Sequence, residues 1–164
     1  MPGCPHVLEV RDDWPALADP VCESCVRGGS RWVSLRRCLS CGQVGCCDSS
    51  PGRHATAHHR RTGHPVIRSL QPGQDWVWCY LDERSLRQVG GEWREVDFFF
   101  EVGLGYMREH VQAGGSTDVD PEKTIGKGFP LGAWAAEVRR RDVAGELTED
   151  QASALAELPG WGRA

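Results

Sequence analysis

The sequence predicts two units of different construction: a zinc-stabilised α+β domain in the first half and a small all-α domain of three helices in the second. Three observations predict this. All eight cysteines and five of the six histidines occur by Cys79, leaving only His110 beyond it. In the same half, short β-like runs flank a single helical stretch, whereas the second half shows apolar residues at helical spacing. Charge divides along the same line. Residues 1–90 carry 11 Arg against 9 acids, a balance of +2, and residues 91–164 carry 8 Lys or Arg against 14 acids, a balance of −6.

The 164 residues suffice for one ordinary domain or two small ones. No apolar run approaches the roughly 20 residues that a membrane span needs. The opening Met1-Pro2-Gly3-Cys4-Pro5-His6 lacks the basic and apolar regions of a secretory signal, so a cytoplasmic location is expected. Neither half is basic enough for nucleic-acid binding to be the leading expectation.

In a reducing compartment, clustered cysteines point to metal rather than to disulfides. Cys22-Glu23-Ser24-Cys25 and Cys38-Leu39-Ser40-Cys41 have the spacing that lets two thiolates grip one tetrahedral ion. His54 and His58, at i and i+4, lie adjacent on one helical face. His64 follows between Gly63 and Pro65, residues that end the helix. Disulfides would have no use for these histidines. With Cys47, His59 and His110 set aside, seven Cys and four His remain, one ligand short of three tetrahedral sites. Asp82 supplies the twelfth, standing where a C-x2-C pair beginning at Cys79 would have its second Cys. Zinc is therefore the expected cofactor, in three ions. Structural sites are expected, because four protein ligands leave no position for substrate. Only an Asp82 turned away would open a catalytic-type zinc, and no paired acid or base accompanies it in sequence, so the chain is not expected to be an enzyme.

Strand-like runs are Trp32–Arg37, Val66–Leu70 and Trp76–Tyr80, with a helix near Arg53–Arg61. Cys4-Pro5-His6, the two C-x2-C pairs, Trp32, Cys38 through Cys46, His54-x3-His58, Gly63-His64-Pro65 and Trp78-Cys79-Tyr80 together resemble the ubiquitin-binding zinc finger of deubiquitinases and a histone deacetylase. The resemblance covers roughly residues 3–90. It implies a twisted antiparallel sheet with one packed helix and up to three zinc ions. It also implies the pairing: Cys4, His6, Cys79 and Asp82; Cys22, Cys25, Cys46 and His54; Cys38, Cys41, His58 and His64.

Binding members of this family hold a free C-terminal tail, and an Arg follows a Cys-Gly pair in them. Here the matching stretch reads Cys46-Cys47-Asp48, and an Asp repels a carboxylate. Trp32, Trp78 and Tyr80 are the expected pocket aromatics, and Arg53 is a substitute source of charge. Plain core packing is the competing use of those aromatics. The expected function is a zinc-dependent interaction module that reads a protein or peptide tail.

Residues 91–164 predict helices over Val96–Gln112, Leu131–Ala144 and from Thr148 to Leu158. Phe98, Phe99, Val102, Tyr106 and Val111 of the first are expected in a core, as are Leu131, Trp134, Ala135 and Val138 of the second. Thr148-Glu149-Asp150-Gln151 is a capping box, and Trp161 is expected to fold back on the bundle. Lys127-Gly128-Phe129-Pro130-Leu131-Gly132, Trp134 and Leu158-Pro159-Gly160-Trp161 resemble the helicase-associated three-helix domain. That resemblance makes Arg139, Arg140 and Arg141 candidates for touching nucleic acid, against a solvated helix face as the plainer alternative. A nucleic-acid-associated accessory protein is thus the second functional expectation. The short connection at Gly90-Gly91 is read as the junction of the two units.

Overall fold

The structure, a computed structural model, describes residues 3–162. The chain divides into one unit of Met1–Gln71 with Asp75–Asp97 and a second of Pro72–Gln74 with Phe98–Ala164. In the first unit, the helices are α1 (Glu23–Arg27) and α2 (His54–Thr62). Its strands are β1 (Leu35–Cys38), β2 (Val44–Cys46), β3 (Val66–Ser69), β4 (Val77–Cys79), β5 (Arg84–Val89) and β6 (Glu92–Val96). They form one sheet in the order β2-β1-β3-β4-β5-β6, with every neighbouring pair antiparallel.

The boundary drawn at residue 90 is corrected by this sheet. Gly90 and Gly91 have φ of 60° and 85°, and Val89 pairs with Glu92 across them. Two central residues with positive φ make the tight hairpin turn whose twist matches paired strands, which Gly adopts without penalty. The two glycines therefore join β5 to β6 inside the first unit, and the helical unit begins at Phe98.

Helix α2 lies close against the sheet because Gly45 of β2 has no side chain; a Cβ there would come within 2.6 Å of the Ala55 backbone nitrogen. The helix ends at Gly63, whose φ of 74° and N–H bond to the His59 carbonyl make a left-handed cap. Val7, Leu39, Val66, Val77 and Leu86 form one buried cluster with Cys4 and Cys79, and Leu35 joins Cys22, Cys25 and Cys46 in another. Metal-ligand candidates are thus themselves core residues.

The second unit has α3 (Phe98–Gln112), α4 (Leu131–Val143) and α5 (Glu149–Ala156) around Phe100, Leu104, Met107, Leu131, Ala135, Val138 and Leu155. Trp134 and Trp161 pack against that cluster from its margin, their ring centroids 6.1 Å apart. The capping box forms: the Gln151 N–H donates to Thr148 Oγ1, and the Thr148 N–H donates to Gln151 Oε1. The core expected on α3 is corrected at its start only. Phe99 is 75% exposed and Phe98 lies at 37%, and Phe100, Leu104 and Met107 are buried in their place, while Tyr106, with Val102 and Val111 at its margin, joins the core as expected. A run of three phenylalanines has no helical phase of its own, so which ring faces inward depends on where the helix docks.

Gly103 on α3 gives room to the Trp134 indole, since an added Cβ would stand 2.1 Å from its Nε1. Gly103→Ala is expected to destabilise the helical unit by about 1–3 kcal/mol despite alanine's better helix propensity. A thermal melt followed by Trp fluorescence checks this, and an unchanged or raised midpoint would show that the indole yields freely.

Candidate metal centres

Site 1 is assembled from α1, β2 and α2. Cys22 immediately precedes α1 and Cys25 lies within it, Cys46 ends β2, and His54 begins α2. His54 Nδ1 stands 3.3 Å from each of the three sulfurs, and Cys25 and Cys46 Sγ are 3.6 Å apart. One imidazole nitrogen has a single lone pair or a single hydrogen and cannot bond three thiols at once. Four donors about 2.0–2.3 Å from a central zinc lie roughly 3.4–3.8 Å from one another, so the spacing fits a tetrahedral ion. The turn into α2 is built for this ligand: Arg53 takes a left-handed φ of 45°, and a Cβ on Gly52 would fall 2.3 Å from the His54 ring.

Site 2 joins Cys38 at the end of β1, Cys41 in the following turn, His58 of α2 and His64 beyond it. Cys38 Sγ is 3.4 Å from His64 Nδ1, Cys41 Sγ is 3.4 Å from His58 Nε2, and the two ring nitrogens are 3.2 Å apart. Burial, then the charges of His64 and Arg61, lowers the pKa of His58 and favours the neutral imidazole that ligates metal. Burial pushes the Cys38 thiol up. A divalent cation is what stabilises a thiolate in such surroundings.

Site 3 brings the Cys4–His6 segment to the β4–β5 turn. His6 Nδ1 is 3.2 Å from Asp82 Oδ2, 3.5 Å from Cys79 Sγ and 3.8 Å from Cys4 Sγ. Asp82 faces into the group and offers it a fourth donor atom. Burial, aided by Asp82 and Cys79, raises the Cys4 pKa to about 12, while the bond from Cys4 and then His6 holds the Asp82 carboxyl below its ordinary value. His6 and Asp82 remain 26% and 24% exposed, unlike the three fully buried sulfurs of site 1. In all three groups the four ligand atoms lie within 4.8 Å of one another, and all eight cysteines are free of disulfides.

His59, set aside as a ligand, has a supporting role. Its Nδ1–H donates to the His64 carbonyl at 2.8 Å, and its ring stacks on Tyr80 at 4.4 Å. It thereby orients a zinc ligand through the backbone. Of the expected pocket residues, the structure links two. The Thr56 hydroxyl donates to Asp48 Oδ1 at 2.6 Å and lies 3.1 Å from Tyr80 Oη. Burial keeps the Tyr80 phenol neutral to a higher pH than usual. Trp78 lies in β4, partly exposed, two residues before Tyr80. Trp32 instead packs against the Cys22, Cys25, Leu35 and Cys46 cluster, and Arg53 is exposed at the start of α2. A cavity of about 580 Å³ opens elsewhere on this unit, lined by Leu17, Val21, Arg27, Gln43 and Arg61 among others, and by none of the five expected pocket residues. Thr56 escaped the sequence reading because nothing local marks it; its partner Tyr80 is distant in the chain.

The three arginines of α4 tie their own unit together. Arg139 donates to the Thr117 carbonyl and lies 4.7 Å over the Trp161 ring, Arg140 pairs with Glu137 and Glu146, and Arg141 donates to Gln151 Oε1. Among the described residues, no helix is long and apolar enough to cross a membrane.

Fold and site together define a zinc-held α+β finger followed by helices. Residues 22–89 match the family described as Zn-finger in ubiquitin-hydrolases and other protein. The chain is 34% identical over 79 residues to histone deacetylase 6 of Caenorhabditis elegans, a stretch that is 47% of this chain and 8% of that protein. It is also similar to a Rhodopseudomonas palustris protein solved by solution NMR, at 48% identity over 52% of this chain and 81% of the other, with a TM-score of 0.45. The family match begins at Cys22, so Cys4 and His6 of site 3 lie upstream of it.

Proposed function

We propose that this protein is a non-enzymatic interaction module that takes the tail of a protein or peptide partner on the zinc-held unit, at the rim formed by Asp48, Thr56 and Tyr80, with Trp78 of β4 two residues before Tyr80. The observation that carries this reading is that each of the three groups brings four protein donor atoms within 4.8 Å of one another, enough to close a tetrahedral site. A closed zinc contributes folding free energy and offers substrate no coordination position, so the use left to the fold is surface recognition. The match of residues 22–89 to the zinc fingers of ubiquitin hydrolases supports the same use. Partly exposed aromatics beside an exposed polar residue supply the contact area and orientation that peptide capture needs.

Calorimetric titration of the zinc-loaded chain with peptides ending in Gly-Gly, free and amidated, tests the reading. At least one peptide is expected to bind, with affinity lowered about tenfold by Tyr80→Ala, the loss that removing an aromatic contact at an interface brings. Binding of neither peptide would overturn the proposed reading of such tails.

A further inference from the structure

The hydrogen-bond directions at the rim assign its chemical preference. Thr56 has a single hydroxyl hydrogen, and the Asp48 carboxylate, which has none to give, takes it at 2.6 Å. The contact between Thr56 Oγ1 and Tyr80 Oη at 3.1 Å then has one possible direction: the phenol must donate. The chain runs Tyr80 O–H to Thr56 O–H to the Asp48 carboxylate. Every hydrogen in it is committed inward, and what remains for a ligand is acceptor lone pairs on Tyr80 Oη and on the exposed Asp48.

The neighbouring groups do not reverse this. His59 commits its Nδ1–H to the His64 carbonyl and its ring to stacking on Tyr80. Arg36, whose charge reaches Tyr80 more weakly than that of Asp48, directs its Nη1 to the Leu35 carbonyl and Ser69 Oγ and lies 4.8 Å over the Trp76 ring. An incoming carboxylate would find at Asp48 a like charge and no hydrogen to accept. An ammonium or guanidinium would find an opposite charge and oxygens that accept, the pairing that gives strong charge-assisted bonds.

We propose that the Tyr80–Thr56–Asp48 chain binds a cationic hydrogen-bond donor, the side chain of a lysine or arginine carried on the partner's tail. This rests on the tail-binding reading above and names the chemistry that the rim selects. Thr56 acts as a positioning residue, because its hydroxyl aims the Tyr80 hydrogen away from the ligand.

The test exposes the immobilised, zinc-loaded chain to a carrier protein bearing random heptapeptide C-terminal tails and sequences what is retained. Lys or Arg is expected to exceed Asp or Glu by about tenfold at one tail position, as a single charge-assisted contact warrants. Asp48→Asn should reduce that ratio towards one, and Asp48→Arg should reverse it in favour of acidic tails. Native mass spectrometry of each variant should still count three zinc ions, which separates lost recognition from lost folding. Thr56→Val should relax the discrimination against acidic tails, because the phenol hydrogen is released. Retained tails with no basic preference, or a preference untouched by Asp48→Asn, would overturn the inference and leave tail binding standing. Absence of any enriched tail would overturn both.

Discussion

Replacing Cys46 by Ser is expected to unfold the zinc-held unit rather than merely to empty one site. Cys46 is fully buried, contacts His54 and Cys25 in site 1, and packs with Leu35 in the cluster beneath the end of β2. A structural zinc contributes on the order of 10–16 kcal/mol of apparent binding free energy in finger peptides, as much as the whole stability of an ordinary small domain. A serine oxygen is a poor replacement for thiolate on zinc. It also leaves a polar group buried where β2, α1 and α2 meet. Native mass spectrometry should show fewer than three zinc ions, and amide spectra should lose the dispersion of β1 and β2. A variant that keeps three ions and an unchanged spectrum would mean that site 1 does not hold these elements together.

The second large effect is an order of metal loss. Challenged with a chelator, the chain is expected to release the ion at Cys4, His6, Cys79 and Asp82 first, passing through a species with two zinc ions. Of the three sites this one alone includes a hard carboxylate among its donors, with two thiolates where site 1 has three, and its His6 and Asp82 side chains are about a quarter exposed. Asp82→Cys should slow that first release by about tenfold or more, the scale on which ligand shells alter zinc affinity. Release of site 3 should loosen little beyond the first residues. Trp14 remains tied by its indole N–H to the Leu39 carbonyl at 2.9 Å, Asp12 by its ion pair with Arg68, and Pro15 by Arg37. Hydrogen exchange should therefore rise around Pro5–Leu8 while β1 and β3 stay protected. Simultaneous loss of all three ions, or release beginning at the fully buried Cys22–Cys25 site, would contradict this order.

The physical difference between these sites is partly legible in the order of residues. Thiol pairs at C-x2-C spacing and imidazoles at i and i+4 are local geometries, so the ligand residues could be named from spacing alone. The sorting of those ligands into sets is another matter, since Cys4 and Cys79 meet only through the sheet; it followed from the family resemblance. The Thr148–Gln151 capping box was legible for the same local reason, both of its bonds closing within one turn.

Chemistry carried on short spans can be read from residue order alone: the candidate zinc ligands, the glycine that ends α2, the cap that begins α5 and the division into a metal-held half and a helical half. Tertiary structure alone decided the rest. Strands as short as β2, or as polar as β6, have no apolar period and exist because a neighbour pairs with them. Gly90-Gly91 became a hairpin rather than a junction only once β5 and β6 aligned, and Phe100 rather than Phe99 turned inward because α3 docked on that face. The Tyr80–Thr56–Asp48 chain arises in the same way. Asp48 and Thr56 are 8 residues apart and Tyr80 lies 24 beyond Thr56, and the direction of the hydrogens follows from a carboxylate, a hydroxyl and a phenol being set within bonding distance by the packing of α2 on the sheet. Spacing along a chain conveys what a short span can grip; only packing across it decides what that grip faces.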